Sequence, residues 1–344
     1  MPSPRPKPTP RPSSAFLTVD LDREGKQTGF LMIPHSPHDD AWGATRVPIA
    51  VIKNGTGPTV IMEGGNHGDE YEGPITICDL IRDLDPGRVQ GRLILMPANN
   101  VHAVMAGQRT SPVDGLNFNR TFPGDPRGTI TQQISAFVND QIMPLGDAFL
   151  DLHSGGSSLD ILPSAIIEPS NDADLHRRNI AAVQAFDAPY TVVISNLGDQ
   201  RTATATACRA GLVTVGTEMR GCGTVSLDAL AICRQGVRNV LRHLGVMEGK
   251  APPARADSPI LELRGPPAYV YASADGIFEP FHSNGEQVSA GQPAGRIHRI
   301  WDVSAEPVML HYGVDGIVYS RRHPGRVMPG NCCLVVATPY GGRL

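Results

Sequence analysis

The chain has 344 residues, a 40% hydrophobic share, a 19% charged share and a formal net charge of −4. This length supports one large or two ordinary domains with a sizeable core. The small negative balance gives no field that would favour nucleic acid or an anionic membrane, and no apolar run approaches the roughly 20 residues of a membrane-spanning helix, so neither partner is expected.

Met1 to Ser14 is rich in Pro, Ser, Lys and Arg and lacks the apolar centre of a signal peptide. It reads as a disordered tail, residues 1–14, on a cytoplasmic protein. Cys78, Cys208, Cys222, Cys233, Cys332 and Cys333 are sparse and lack paired metal spacing. A reduced interior explains them better than a disulfide framework.

Val47–Ile52 and Pro58–Met62 read as strands around Asn54-Gly55, a dipeptide suited to positive φ, so a hairpin or sharp reversal is expected. The second strand runs into Gly64-Gly65-Asn66-His67-Gly68-Asp69-Glu70. Pro74–Leu84 has helical spacing, and Arg92–Pro97 reads as a buried strand. Ile130–Ile142 reads as a helix, Ala148–His153 as a strand and Asp172–Phe186 as a helix. Pro189–Ile194 and Leu212–Glu218 read as strands, and Ser226–Leu244 as a long helix. Apolar strands alternating with helices predict an α/β domain over residues 15–250, with a mostly buried sheet.

After Lys250 the composition changes. Ala251–Arg255 reads as a linker, and residues 251–344 as a smaller β-rich cap domain. Asp275-Gly276-Ile277-Phe278 leads to Gly285, Val288 and Gly291, and Asp315-Gly316-Ile317-Val318 leads to Gly325, Val327 and Gly330. Two similar β units predict a pseudo-symmetric fold. The repeat resembles biotinyl or lipoyl carrier halves, but no lysine follows Lys250, which excludes cofactor attachment there. A structural cap or an assembly surface is the expected role.

His67 and Glu70, three residues apart after a strand and two glycines, can both reach one metal ion. A lone His-x-x-Glu is commonplace on protein surfaces, but here a strand-ending Asp151-Leu152-His153 supplies a second imidazole. Two His and one Glu with a fourth position for water is the ligand set of a catalytic zinc site. Zinc lowers the pKa of a bound water to about 7, which points to a hydrolase. Asp151 lies on the same strand face as His153, where it could orient the imidazole or equally lie near the metal without touching it. Glu218 ends the apolar strand Val215-Gly216-Thr217-Glu218, where a carboxylate could act as general base. In sheets of this kind sites form beyond the strand ends, so the common placement of His67, His153 and Glu218 supports one shared site. Arg109 and Arg120, in a Gly/Pro-containing loop, could meet an oxyanion or clamp a substrate carboxylate.

Together, Gly-Gly-Asn-His67-Gly-Asp-Glu70, Asn119-Arg120, Asp-Leu-His153-Ser-Gly-Gly and Thr217-Glu218 resemble the succinylglutamate desuccinylase/aspartoacylase group of zinc carboxypeptidase-like hydrolases, from roughly Phe30 to Leu344. The resemblance implies an α/β mixed sheet flanked by helices, with a smaller C-terminal all-β domain. It implies one Zn2+ per chain on His67, Glu70 and His153, Glu218 as general base, Arg109 as carbonyl polariser, and Asn119 with Arg120 as carboxylate binders. It further implies a homo-oligomer and a small N-acyl amino acid as substrate, N-acetyl-diaminobutyrate among those to test, with Asp160 able to meet a substrate ammonium. Met219-Arg220-Gly221-Cys222-Gly223 departs from the small, glycine-rich run expected after the base, and Arg220 there would either favour an acidic substrate or face solvent. The alternatives are a metallocarboxypeptidase or another amide or ester hydrolase on the same core, and a catalytically silent ligand sensor.

Overall fold

In the computed structural model, residues 11–253 and 259–342 are described. Most of the expected tail, and Ala254 and Arg255 of the expected linker, lie outside those residues. Arg11, at the end of that tail, is docked: its guanidinium meets Asp140 at 2.7 Å and the carbonyl of Gly124 at 2.9 Å.

Three mutually parallel strands carry the centre of the sheet: Thr59–Gly64, Ala148–His153 and Val213–Gly221. They are buried on both faces, and strand alternation sends their side chains into two cores. Met62, Leu150 and Leu152 join one, against helices Glu72–Asp83, Ala173–Phe186 and Leu227–His243. Ile61 and Phe149 join the other, against helices Ile130–Phe137 and Ala203–Arg209. Each fully buried aliphatic side chain in these layers stabilises the fold by about 1.5–3 kcal/mol relative to exposure.

Of the hairpin or sharp reversal expected at Asn54-Gly55, the structure has the reversal: the two flanking strands do not pair with each other. Strand Ala44–Asn54 runs antiparallel to Gly91–Met96, and Thr59–Gly64 runs parallel to the same strand on its other side. Gly91–Met96 therefore sits between the two segments read as hairpin partners. The helix read over Ile130–Ile142 is α-helical to Phe137 and continues as a wider π turn over Val138–Ile142.

Strand Leu159–Ile167 escaped the sequence reading because Pro163 interrupts it. Proline cannot donate to a ladder, and the pairing with Val213–Gly221 shifts register between Ile161 and Ser164, around that proline.

The compositional change at Lys250 does not divide the sheet. Ile260–Glu262 adds parallel to Tyr190–Val193, Cys332–Pro339 follows it antiparallel, and Gly316–Arg322 pairs with Leu159–Ile167. The buried Ser164 and Tyr319 hydroxyls meet at 2.7 Å across this join. A four-stranded sheet and its own apolar core, including Phe278, Ile297, Tyr312 and Leu334, complete the C-terminal part. The repeat is realised as reciprocal pairing: Gly276 of the first unit opposes Val327 of the second, and Val288 of the first opposes Gly316 of the second.

Candidate active site

Parallel strands end at a common edge, and His67, His153 and Glu218 are all placed there. His67 leaves its strand through Gly65, whose φ of +66° suits glycine. At Gly68 a Cβ would lie 2.0 Å from the backbone of Ala103, so only glycine lets this loop pack on helix Val101–Ala106. Asp69 fastens the loop to the one after His153, its Oδ2 accepting from both the backbone N–H and the hydroxyl of Ser157 at 2.7 Å.

Glu70 is the hub. Its Oε1 lies 2.7 Å from Nδ1 of His67, and its Oε2 lies 2.8 Å from Nδ1 of His153. The three donor atoms all fall within 4.8 Å of one another. The outward ring nitrogens face oxygen: Nε2 of His67 is 3.1 Å from Asn117 Oδ1, and Nε2 of His153 is 2.9 Å from Asp151 Oδ1. With the protons held on Nε2, both Nδ1 lone pairs converge beside the carboxylate. Two imidazoles and a carboxylate, oriented from behind by oxygen acceptors, fit a zinc ion. Burial works to raise the carboxyl of Glu70, but the imidazoles of His67 and His153 overcome it and hold the group below the usual carboxylate range.

Glu218 sits opposite His153 in the parallel register. Its Oε2 is sealed from solvent with no hydrogen-bond partner among the described residues. Burial, and then the charge of Glu70, push its carboxyl up to about 8. Thr217 beside it fixes the His153 backbone, accepting from its N–H at 2.9 Å and donating to its carbonyl at 3.1 Å.

Arg109 reaches over the cluster, with Nη1 3.5 Å from Glu70 Oε1. Arg120 is braced by Asp199 at 3.2 Å and the carbonyl of Asn119 at 2.6 Å. Asn119 is committed within the protein: its Oδ1 accepts from the N–H of Ala203 at 2.8 Å, and its Nδ2 lies 3.1 Å from Nε2 of His153. It fixes the start of helix Ala203–Arg209, with its amide nitrogen lying beside the His153 ring.

His67, Glu70, Arg109, Asn119, Arg120, His153 and Glu218 line one cavity of about 130 Å3. Every residue lining it lies between His67 and Glu218, so the expectation that the C-terminal part covers the cleft finds no support in the cavity wall.

Asp160 is not brought to this cavity. Its neighbours Leu159 and Ile161 line the wall, and strand alternation turns Asp160 the other way, 3.6 Å from Arg220. Arg220 is held between Asp160 and Asp228, the latter at 3.4 Å, and Cys222 lies with Asp160 in a separate depression. Arg220 therefore lies outside the cavity wall. Glu168, which the sequence reading passed over, does line the cavity. Its signal was the one used for Glu218, a carboxylate at the end of an apolar strand, but Pro163 hid that strand.

The architecture is zinc carboxypeptidase-like: a mixed sheet between helical layers, with a smaller all-β part at the C-terminus. The catalytic-domain model of succinylglutamate desuccinylase/aspartoacylase matches residues 56–244. N-alpha-acetyl-L-2,4-diaminobutyric acid deacetylase of Halomonas elongata is 38% identical over 320 residues, covering 93% of this chain and 94% of that protein. The crystal structure of a succinylglutamate desuccinylase/aspartoacylase from Rhodobacter sphaeroides shares 43% identity and a TM-score of 0.90, over 95% of this chain and 100% of that one. The product-bound ectoine utilization protein EutE (DoeB) from Ruegeria pomeroyi shares 37% identity and a TM-score of 0.91, over 95% and 99%. The chain belongs to the succinylglutamate desuccinylase/aspartoacylase family.

Proposed function

We propose that this chain is a zinc-dependent deacylase that hydrolyses the amide bond of a small N-acyl amino acid, with N-acetyl-diaminobutyrate the first substrate to test. The observation that carries the reading is the convergence of one ligand atom each from His67, Glu70 and His153 within 4.8 Å, beside Glu218, whose Oε2 is buried without a partner among the described residues. His67, Glu70 and His153 would hold zinc, which when bound supplies Lewis-acid polarisation and lowers the pKa of water to about 7.

Glu218 takes the proton from the attacking water and returns it to the departing amine. Its carboxylate lies in the cavity on the same rung as His153, with Oε2 free of protein partners among the described residues, which suits both transfers. Arg109, half-exposed above Glu70, meets the oxygen on which charge develops. Arg120, braced by Asp199, clamps the substrate carboxylate, and this fixed distance sets the scissile bond over the cluster. A cavity of about 130 Å3 suits a small acyl amino acid better than a peptide.

The similarity to the Halomonas elongata deacetylase supports the choice of substrate class. The test is amine release from Nα-acetyl-diaminobutyrate, N-acetyl-aspartate, N-succinyl-glutamate and a dipeptide, each with and without chelator. Chelator-sensitive turnover of an acyl amino acid is the expected result. Turnover of the dipeptide alone would replace the reading with a peptidase.

A further inference from the structure

Glu168 follows strand Leu159–Ile167, two residues after Ile166, and both line the cavity. On extended chain, positions two apart share a face, so the alternation that buries Ile167 in the core turns Glu168 towards the cavity. The residue is only 6% exposed. Its carboxylate has no hydrogen bond or ion pair among the described residues; only its backbone carbonyl is engaged, by Asn179 at 3.4 Å. An unpaired buried carboxylate is costly and calls for a partner.

The other charged side chains on the wall have assigned work. Glu70 belongs to the metal cluster, Glu218 to proton transfer, Arg109 to the oxyanion, and Arg120 to the substrate carboxylate. Glu168 remains as an acid with no protein cation bonded to it. Ile161, Ile166 and Ile194 line the same cavity and provide an apolar path for a methylene stem. A low-dielectric wall strengthens an ion pair formed there.

We infer that Glu168 receives a cationic group on the substrate side chain, so that the cavity selects N-acyl diamino acids over N-acyl diacids and neutral N-acyl amino acids. The inference rests on the deacylase reading for its substrate class. It gives the ammonium-binding role to Glu168 rather than to Asp160, which Arg220 already occupies. Burial pushes the carboxyl of Glu168 up to about 7, with Arg209 pulling against it and Asp151 adding to it. A cation arriving from the substrate offsets that burial.

The experiment compares wild type with Glu168→Gln on three substrates of matched length. They are Nα-acetyl-L-2,4-diaminobutyrate, its uncharged isostere N-acetyl-L-norvaline, and N-acetyl-L-aspartate. Wild type should prefer the cationic substrate over the norvaline analogue by about 10²-fold in kcat/KM, and Glu168→Gln should shrink that ratio to less than about tenfold, mainly through KM. Zinc content should not change. Calorimetric binding of free L-2,4-diaminobutyrate and L-norvaline to the zinc-loaded proteins gives a second reading. The diamine should lose affinity in Glu168→Gln and norvaline should not.

An unchanged ratio, or equal losses on both ligands, overturns the role of Glu168. If no acyl amino acid is hydrolysed yet diamine binding depends on Glu168, the deacylase reading falls and the cation site stands. If diamine binding is indifferent to Glu168, the cation site falls whatever the turnover.

Discussion

His153 and Glu218 occupy the same rung of the parallel pairing between Ala148–His153 and Val213–Gly221. One sheet contact thus sets the candidate metal ligand and the candidate base side by side, and Thr217 locks the rung through both backbone groups of His153. Glu218→Gln keeps the shape and removes the base. It should lower kcat by about 10³-fold or more while zinc stoichiometry, read by elemental analysis, stays at the wild-type value. Retained turnover would move the proton-transfer role elsewhere.

The same carboxyl gives a pH signature in the metal-free protein. Its ordinary value of 4.5 is raised to about 8 by burial and by Glu70. Raising a carboxyl favours its neutral form in the folded chain. The associated stability is therefore complete below about pH 4.5 and lost as pH rises through about 8. Gln does not titrate. The melting temperature of Glu218→Gln minus that of wild type, both metal-free, should climb between pH 5 and pH 9; a flat difference would contradict the assigned cause.

Asp151 acts on the cluster from behind. It accepts from Asn66 at 2.8 Å and from Thr204 at 2.6 Å and faces His153 Nε2 at 2.9 Å. Asp151→Asn should weaken zinc affinity by about 10–100-fold in a competitive chelator titration, without removing a direct ligand. His153→Ala, which removes a candidate ligand, should abolish stoichiometric binding.

Gly68→Ala tests the loop that carries His67. A methyl group 2.0 Å from the Ala103 backbone must displace either the loop or helix Val101–Ala106. The substitution should cost at least about 2 kcal/mol in denaturant unfolding and lower zinc occupancy at the same time. Wild-type stability with full occupancy would show that the approach is looser than the structure places it.

The C-terminal strands are part of the catalytic sheet. A chain ending at residue 250 would strip Gly316–Arg322 from Leu159–Ile167 and Ile260–Glu262 from Tyr190–Val193, and uncover Ile161, Leu162 and Val192. Exposed apolar edges pair with other chains. That fragment should aggregate on size-exclusion chromatography, whereas a soluble, zinc-binding monomer would show that residues 15–250 stand alone.

Much of the candidate site was legible in the chain because its candidate ligands are local or sit at strand ends. His67 and Glu70 are three residues apart, His153 and Glu218 each end an apolar run, and the apolar–helical alternation predicts a buried sheet of an α/β domain with its site at the strand ends. The glycines at Gly65 and Gly68 mark the turn for the same reason: only a residue without a side chain fits there.

Tertiary structure decided what depends on facing and pairing. Asp160 and Glu168 are both carboxylates on or just past one strand, yet one turns to Arg220 and the other lines the cavity. Pro163 and the register shift around it hide that alternation from the sequence. Likewise, Gly91–Met96 inserts between two segments that read as a hairpin, and strands after residue 258 extend a sheet that composition assigned to a separate domain. Local pattern fixes which residues are extended and which are apolar. Which strands become neighbours, and which face of each meets the cavity, is settled by long-range pairing that no local spacing records.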